Sequence, residues 1–266
     1  MEKRKGGDLS LMSWNILAPC WVNEEWYPSM YQLAKDSQKR MEKILSEISS
    51  CSSDVVMIQE AQEDLLHLFQ TKLGKEYFFQ FTANNPSTSS TRNGLLVLIK
   101  KEWSYSKEMK IISGILDPIK GEAIQIVHIP SKNLFLVNLH FDYFDVLSQA
   151  KMVHERFHQL TNSSDAISLV AGDFNADFDL CEKFPWIGYQ SVFDETKKDD
   201  RIPSYYPDPL NNENGNVSID HIYYNPKKLL CIQSGKAFDR KDRTSEDTLH
   251  IFGSDHIYIW AHFDLL

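Results

Sequence analysis

The chain lacks every feature that would carry it into or across a membrane. Its longest apolar run, Leu95 to Ile99, is far shorter than the ~18 residues a spanning helix needs. The basic start, Met1-Glu2-Lys3-Arg4-Lys5-Gly6-Gly7, has no apolar stretch of ~7–15 residues behind it, so no signal peptide is expected. Cysteine is scarce: Cys20, Cys51, Cys181 and Cys231 form no C-x-x-C pair. That excludes a zinc ribbon and a disulfide framework, and leaves reduced thiols. Positive charge is also short, with 28 Lys and Arg against 37 Asp and Glu and a net charge of −9. Indiscriminate adhesion to nucleic acid or anionic lipid is disfavoured, although a local basic groove is not. No short repeat and no linker appears. Residues 1–8 read as a tail and residues 9–266 as a single α/β domain of a soluble protein, cytoplasmic or, in a eukaryote, nuclear.

What is present is a series of strand-like apolar runs that each end on a polar signature. Leu9–Leu17 ends in Trp14-Asn15-Ile16, and Asp54–Gln59 ends at Glu60. Gly94–Lys100, Ala123–Ile129, Leu134–Leu139, Ala166–Ala171, Ile219–Tyr224 and Ile257–Leu265 are also strand-like; Leu139 is followed by His140, and Ala171 by Gly172-Asp173-Phe174-Asn175. Helices are expected over Asp36–Ser49, Glu63–Leu73 and Asp145–Leu160. Asn84–Thr91, Lys197–Gly215 and Arg240–His250 are expected as polar loops.

Taken singly, these signatures are ordinary. Glu60 serves equally well as an acid at a helix start, and Gly172-Asp173-Phe174-Asn175 or Ser254-Asp255-His256 as a turn. Asp220, on a strand, is harder to dismiss, because aspartate is depleted there and needs a partner. Gathered on one rim, the carboxylates would repel one another without a cation. Oxygen donors of this kind suit Mg²⁺ or Mn²⁺ rather than zinc, and imidazoles beside them can stabilise a phosphate.

In their order, Trp14-Asn15, Gln59-Glu60, Asn138-Leu139-His140, Gly172-Asp173-Phe174-Asn175, Asp220-His221-Ile222 and Ser254-Asp255-His256 resemble the endonuclease/exonuclease/phosphatase superfamily, over nearly the whole chain. The resemblance implies a four-layered α/β sandwich, with two packed mixed β-sheets flanked by helices. It implies a Mg²⁺ site (Mn²⁺ as substitute) built from Glu60, Asn15 and Asp255. By the same resemblance, Asp173 activates the attacking water and Asn175 positions it. His256, partnered by Asp220, and His140 contact the phosphate. The reaction implied is in-line attack of water on a phosphodiester.

The substrate is less legible, because fold and core motif are shared across many phosphate esters. Single-stranded nucleic acid is the leading expectation, since Trp21, Trp26, Tyr27 and Tyr31 could stack on bases or, equally, cap the sandwich edge. Lys100-Lys101, Lys197-Lys198, Lys227-Lys228 and Arg240-Lys241-Asp242-Arg243 could grip phosphates, or be ordinary solvated charge. Trp14-Asn15-Ile16-Leu17-Ala18 is similar to the deadenylase branch. Tyr206-Pro207-Asp208 stands where the sphingomyelinase and tyrosyl-DNA phosphodiesterase branches usually carry Trp-Asp. A phosphatase or phospholipase acting on a phosphorylated small molecule or lipid headgroup is the alternative. A binding module on this fold would be expected to lack Glu60, Asp173 or His256, and all are present.

One rival motif remains. His154-Glu155-Arg156-Phe157-His158 spells H-E-x-x-H on an expected helix, the zinc-protease pattern. Ala150, Val153, Phe157 and Leu160 form that helix's apolar stripe, which puts the histidines on its shoulder. His158→Ala is therefore expected to leave any hydrolytic activity within about twofold; a zinc-dependent activity lost with this substitution would restore the protease.

Overall fold

Two six-stranded sheets, each built around one parallel pair, organise the computed structural model, which describes residues 7–85, 91–186, 188–193, 202–211, 215–238 and 243–266. The elements begin with β1 (Leu9–Asn15), α1 (Tyr31–Ala34), α2 (Ser37–Cys51), β2 (Val55–Gln62), α3 (Leu66–Leu73), β3 (Tyr77–Ala83) and β4 (Asn93–Lys100). They continue with β5 (Lys110–Ile115), β6 (Ala123–Ile129), β7 (Leu134–His140), α4 (Val146–Thr161), β8 (Leu169–Asp173), α5 (Phe178–Cys181) and β9 (Gln190–Ser191). Last come β10 (Asp220–Tyr224), β11 (Leu229–Lys236), α6 (Ser245–Ile251) and β12 (Ile259–Leu265).

The strand orders are β11-β12-β1-β2-β4-β3 and β5-β6-β7-β8-β10-β9. Only β1/β2 and β7/β8 are parallel. A parallel pair needs a crossover, supplied by α1 and α2 in one case and by α4 in the other. Both crossovers lie on the outer faces, which produces the expected four layers. Between the sheets, Leu9, Leu11, Val55, Met57 and Val97 pack with Val127, Leu136, Leu169 and Ala171. The alternate residues Met12, Trp14, Val56 and Ile58 face Met41, Ile44, Ile48 and Phe69 of α2 and α3. Val137, Leu139 and Val170 likewise face Ala150, Val153 and Phe157 of α4. The strands are buried on both faces, which is why they read as unbroken apolar runs.

The expected helices fall where their signals place them. The Asp36 side chain caps α2 by accepting from the Lys39 N–H at 3.0 Å. α4 carries the H-E-x-x-H residues, but they do not converge. His154 is half-buried against Tyr189, whereas His158 is exposed and donates from Nδ1 to the Ser163 carbonyl at 2.6 Å. The expected polar loop Arg240–His250 is corrected in its second half. Thr244 and Asp247 form a reciprocal capping box that starts α6, while residues 240–242 lie outside the described residues. Residues 86–90, 197–201 and 212–214 of the other two expected loops, and residues 1–6 of the tail, also lie outside them. The strands β3, β5 and β11 were not expected, because none presents an unbroken buried run: β3 and β5 are mostly half-buried, and β11 exposes Leu230 and Ile232.

At the carboxyl end of β8 the chain closes in tightly. Gly172, opposite Leu139 of β7, has φ +153°, and a Cβ there would stand 1.9 Å from the Leu139 carbonyl oxygen. The glycine is what lets His140 and Asp173 sit side by side at the next register position. Gly172→Ala is expected to cost about 2–4 kcal/mol of stability; urea unfolding of the two proteins checks this.

Candidate active site

Strand register alone brings most of the candidate residues to one edge. Asn15 pairs with Gln59 at the ends of β1 and β2, and His140 with Asp173 at the ends of β7 and β8. β10 runs antiparallel to β8, so its first residue, Asp220, lies opposite Asp173. β12 is antiparallel to β1 with Ile259 opposite Ser13, which carries the preceding residues Asp255 and His256 past Asn15. His140, Asp173, Asp255 and His256 line one open cleft of about 1560 Å³, and Asn15 and Asp220 are hydrogen-bonded to residues that line it.

Glu60 reaches this edge through an irregularity. β2 does not stop at Gln59 but continues to Gln62 across a bulge between Ile58 and Ala61, with Glu60 at φ +58°. A non-glycine residue in that region costs about 1–3 kcal/mol and persists only where its surroundings fix it. Here the Asn15 side-chain amide donates to Glu60 Oε1 at 2.9 Å, and the Ala18 N–H donates to Oε2 at 2.8 Å. Beneath it runs a buried amide ladder between the sheets. Gln59 Nε2 donates to Asn138 Oδ1 at 2.8 Å, Asn138 Nδ2 to Gln125 Oε1 at 3.1 Å, and Gln125 Nε2 to the Gln80 carbonyl at 2.9 Å. Gln59 Oε1 has no partner of its own, but the linked amides still fix one arrangement, since breaking any link strands a further polar group.

On the other sheet, Asp173 is held at both oxygens. Oδ2 accepts from Asn15 Nδ2 at 2.9 Å, and Oδ1 accepts from the Asn175 N–H at 2.9 Å. Asn175, itself at φ +47°, places its amide 3.2 Å from His140 Nε2 and donates to the Phe141 carbonyl at 2.8 Å. The Nε2 atoms of His140 and His256 lie 3.6 and 3.7 Å from Asp173 Oδ2. His256 Nδ1 donates to Asp220 Oδ2 at 2.9 Å. Burial alone would lower the His256 pKa, but the charges of Asp220 and Asp173 outweigh it and raise it to about 10. The two carboxylates beside it thus favour the charged imidazole.

The oxygens expected to hold a cation are distributed less evenly. Asp255 is buried, and its Oδ1 has no hydrogen-bond partner; its Oδ2 accepts from the Tyr27 hydroxyl at 2.8 Å. Burial, joined by the charge of Glu60, pushes the Asp255 carboxyl up. An orphaned buried carboxylate oxygen within the field of a second carboxylate fits a hard divalent cation. Asn15 fits such a site less directly than expected: its amide nitrogen bridges Glu60 and Asp173, and its Oδ1 already accepts from the Leu17 N–H at 3.0 Å. A different trio, Asp173, Asp220 and His256, has ligand-type atoms all within 4.8 Å of one another. Because His256 Nδ1 is already hydrogen-bonded to Asp220 Oδ2, that trio is described as a hydrogen-bonded cluster, and a cation there would compete with that bond.

Three contributors, Tyr205, Ser204 and Arg40, carried no sequence signal of their own, and Ser254 of the Ser254-Asp255-His256 signature joins them. The Tyr205 ring tilts over His256 at 4.6 Å, and its phenol is pushed up by burial and by the charges of Asp255, Asp173 and Glu60. The Ser204 hydroxyl accepts from the Asp220 N–H, and the Ser254 hydroxyl donates to the Asn15 carbonyl. The buried Arg40 guanidinium ties the Ile16, Leu17 and Gly253 carbonyls together. The aromatic loop after β1 divides its roles. Tyr27 is buried as the donor to Asp255, whereas Trp21 and Trp26 stack on each other at 6.0 Å and line the cleft. Asp208 pins this loop by accepting from the N–H groups of Ser29 and Met30, both at 2.9 Å.

With the geometry in hand, the chain was compared with known proteins. A family model described as Endonuclease/Exonuclease/phosphatase family matches residues 12–256. The catalytic domain of human Nocturnin with bound sulfate anion superposes at a TM-score of 0.67 and 17% identity, covering 97% of this chain and 93% of that one. ANGEL2, a 2′,3′-cyclic phosphatase, superposes at 0.71 and 16%, covering 98% and 96%. TDP2 of D. rerio complexed with single-strand DNA product superposes at 0.62 and 16%, covering 96% and 98%. At such identities the likeness is one of fold. No curated protein sequence matches the chain significantly.

The His256–Asp220 pair makes stability depend on pH. The His256 pKa of about 10 in the folded, metal-chelated protein lies above the ~6.5 of the unfolded chain. Its contribution is therefore full below pH ~6.5 and is lost as pH rises through about 10. Urea unfolding of wild type and His256→Gln in EDTA is expected to show a difference that shrinks across that window; a constant difference would contradict the protonated pair.

Proposed function

Because the chain belongs to the endonuclease/exonuclease/phosphatase family, whose members are hydrolases of phosphate esters, we propose that it is a Mg²⁺-dependent phosphodiesterase acting on single-stranded nucleic acid. One observation supports this most: a buried imidazole and an oriented carboxylate meet over Asp173 at the edge where Glu60 and Asp255 also point into the cleft. Positive and negative groups in that juxtaposition match a phosphoryl group under attack by water.

In this proposal Glu60 and Asp255 hold the cation, with Asn15 beside them, and Mn²⁺ substitutes for Mg²⁺. When bound, the cation polarises a phosphoryl oxygen and offsets the charge that builds on it. Asp173 takes the proton of the attacking water. Its two oxygens are held by Asn15 and by the Asn175 backbone, so little reorganisation accompanies the transfer. His256 donates from Nε2 to a phosphoryl oxygen while Asp220 holds its other nitrogen. His140 contacts a second oxygen, and Asn175, bonded to His140 and to the Phe141 carbonyl, orients the water. The nucleic-acid part rests on the stacked Trp21–Trp26 pair in the cleft and accords with neighbours seen with sulfate or with single-strand DNA product.

His256→Ala is expected to lower kcat about 10²–10³-fold, as the loss of one oxyanion donor does. Glu60→Ala should abolish metal-dependent turnover with the fold intact. Asp173→Asn should lower kcat far more than it raises KM. A panel of single-stranded DNA, poly(A) RNA, a 5′-tyrosyl oligonucleotide, sphingomyelin and inositol phosphates at matched Mg²⁺ checks the substrate class. Turnover of only the last two would replace the nucleic-acid proposal with the phosphatase or phospholipase alternative.

A further inference from the structure

We propose that the cleft takes a short or terminal stretch of single-stranded nucleic acid, gripping its bases by stacking on apolar loops rather than its backbone by charge. The proposal rests on the phosphodiesterase activity proposed above and names the part of the substrate that the cleft reads.

The walls of the cleft carry large apolar side chains that stand out into solvent. Trp26 is 51% exposed, Ile119 84%, Tyr143 65%, Phe144 86% and Leu210 71%. They come from four separate loops, so no single helix or strand accounts for their clustering. Three of them belong to aromatic pairs: Trp26 lies nearly parallel to Trp21, and Phe144 stands edge-to-face against Tyr143 at 5.3 Å. Exposed apolar groups concentrated at the mouth of one cleft mark a binding surface.

The charge of the same walls runs the other way. Lys120 is the one lysine or arginine among the described lining residues, and its Nζ lies 3.4 Å from Asp142. Carboxylates outnumber it: beyond Glu60, Asp173 and Asp255, the walls hold Glu122, Asp142 and Asp177. The segments adjoining in sequence, 86–90, 194–201 and 212–214, contain three cations against five acids and so add no positive excess. A groove that tracks a polyanion lines its path with Lys and Arg. This one has His256 and its cation for the scissile phosphate, and Lys120 at most for another. Any further phosphates would meet carboxylates, so they must point to water while the bases lie against the loops. The interleaved carboxylates also disfavour docking on an anionic lipid surface.

Salt and length dependence decide the matter. Each phosphate contact in a single strand contributes a slope of about −0.7 in log affinity against log salt. Between about 50 and 200 mM KCl, one contact therefore lowers kcat/KM about threefold, and four contacts lower it about fiftyfold. The expected result on oligonucleotides from two to about sixteen nucleotides is the shallow dependence, with kcat/KM level beyond about four nucleotides. Trp26→Ala and Phe144→Ala, both on exposed side chains, are expected to raise the oligonucleotide KM about fivefold or more while kcat changes far less. Steep salt and length dependence, or silence of both variants, overturns the stacking proposal and leaves the phosphodiesterase intact. Hydrolysis of phospholipid vesicles with oligonucleotides untouched overturns it in favour of lipid. Wild-type protein inert toward bis(p-nitrophenyl) phosphate and every oligonucleotide in Mg²⁺ sinks the phosphodiesterase itself, and the stacking proposal with it.

Discussion

The side-chain amide of Asn15 is the contact on which the rest of the site depends. It leaves the last residue of one sheet's central strand and donates at once to Glu60 on its own sheet and to Asp173 on the facing one. Neither carboxylate could be held so close to the other by apolar packing, because each would lose water without gaining a partner. The bridge is possible because both sheets place a parallel pair at their centre and both pairs end at the same edge. Carboxyl ends of parallel strands leave their final polar residues facing one crevice, and the sandwich brings two such ends together.

That arrangement accumulates negative charge, and the surrounding structure is arranged to offset it. The amide ladder Gln59–Asn138–Gln125 fixes the bulge from below without adding charge. Arg40 is buried within the field of Asp255 and Glu60, yet its hydrogen bonds go to backbone carbonyls. It therefore opposes the acids at a distance while fastening the exits of β1 and α6. His256, held by Asp220, sets an imidazole directly against the acids. These groups leave Asp255 Oδ1 without a partner. Asp220 Oδ1 is likewise unpartnered, and Asp255 Oδ1, in the field of Glu60, is the buried oxygen that best fits a divalent cation.

The legible part of this design follows from where chemistry sits on the fold. Asn15, His140, Asp173 and Asp220 sit at strand ends, so each is found as the polar residue at which an apolar run stops or starts. Burial on both faces makes those runs unbroken and therefore visible. Glu60 was found for the same reason, but its placement was not. A short apolar run followed by an acid looks like a strand end, and the bulge that carries β2 on to Gln62 leaves no mark in the pattern. Tyr27 was read only as a stacking or capping aromatic and Tyr205 carried no signal, because both approach the site from loops, where no periodicity points inward. The outer strands β3 and β11 escaped because partial exposure breaks their alternation. α6 was hidden in a stretch whose polarity outweighed the one informative signal, the capping pair Thr244 and Asp247.

This division also separates chemistry from selection. The polar groups at the strand ends are fixed by strand register and by a buried hydrogen-bond network, so they cannot shift without loosening the core. The exposed side chains at the mouth of the cleft are on loops, tied to one another by the four hydrogen bonds Asp208 accepts from Ser29, Met30 and Leu210. A change in those loops alters what is held and at what angle, while the reacting geometry stays in place. The Asp208 carboxylate is therefore a joint between the two systems. It links the loop that carries Tyr205 over His256 to the loop that carries Tyr27 onto Asp255 and Trp26 into the cleft. Pressure on the aromatic wall of the cleft is thus felt by segments that also position His256 and Asp255. Through that joint, the exposed loops at the mouth of the cleft are coupled to the polar residues gathered at its floor.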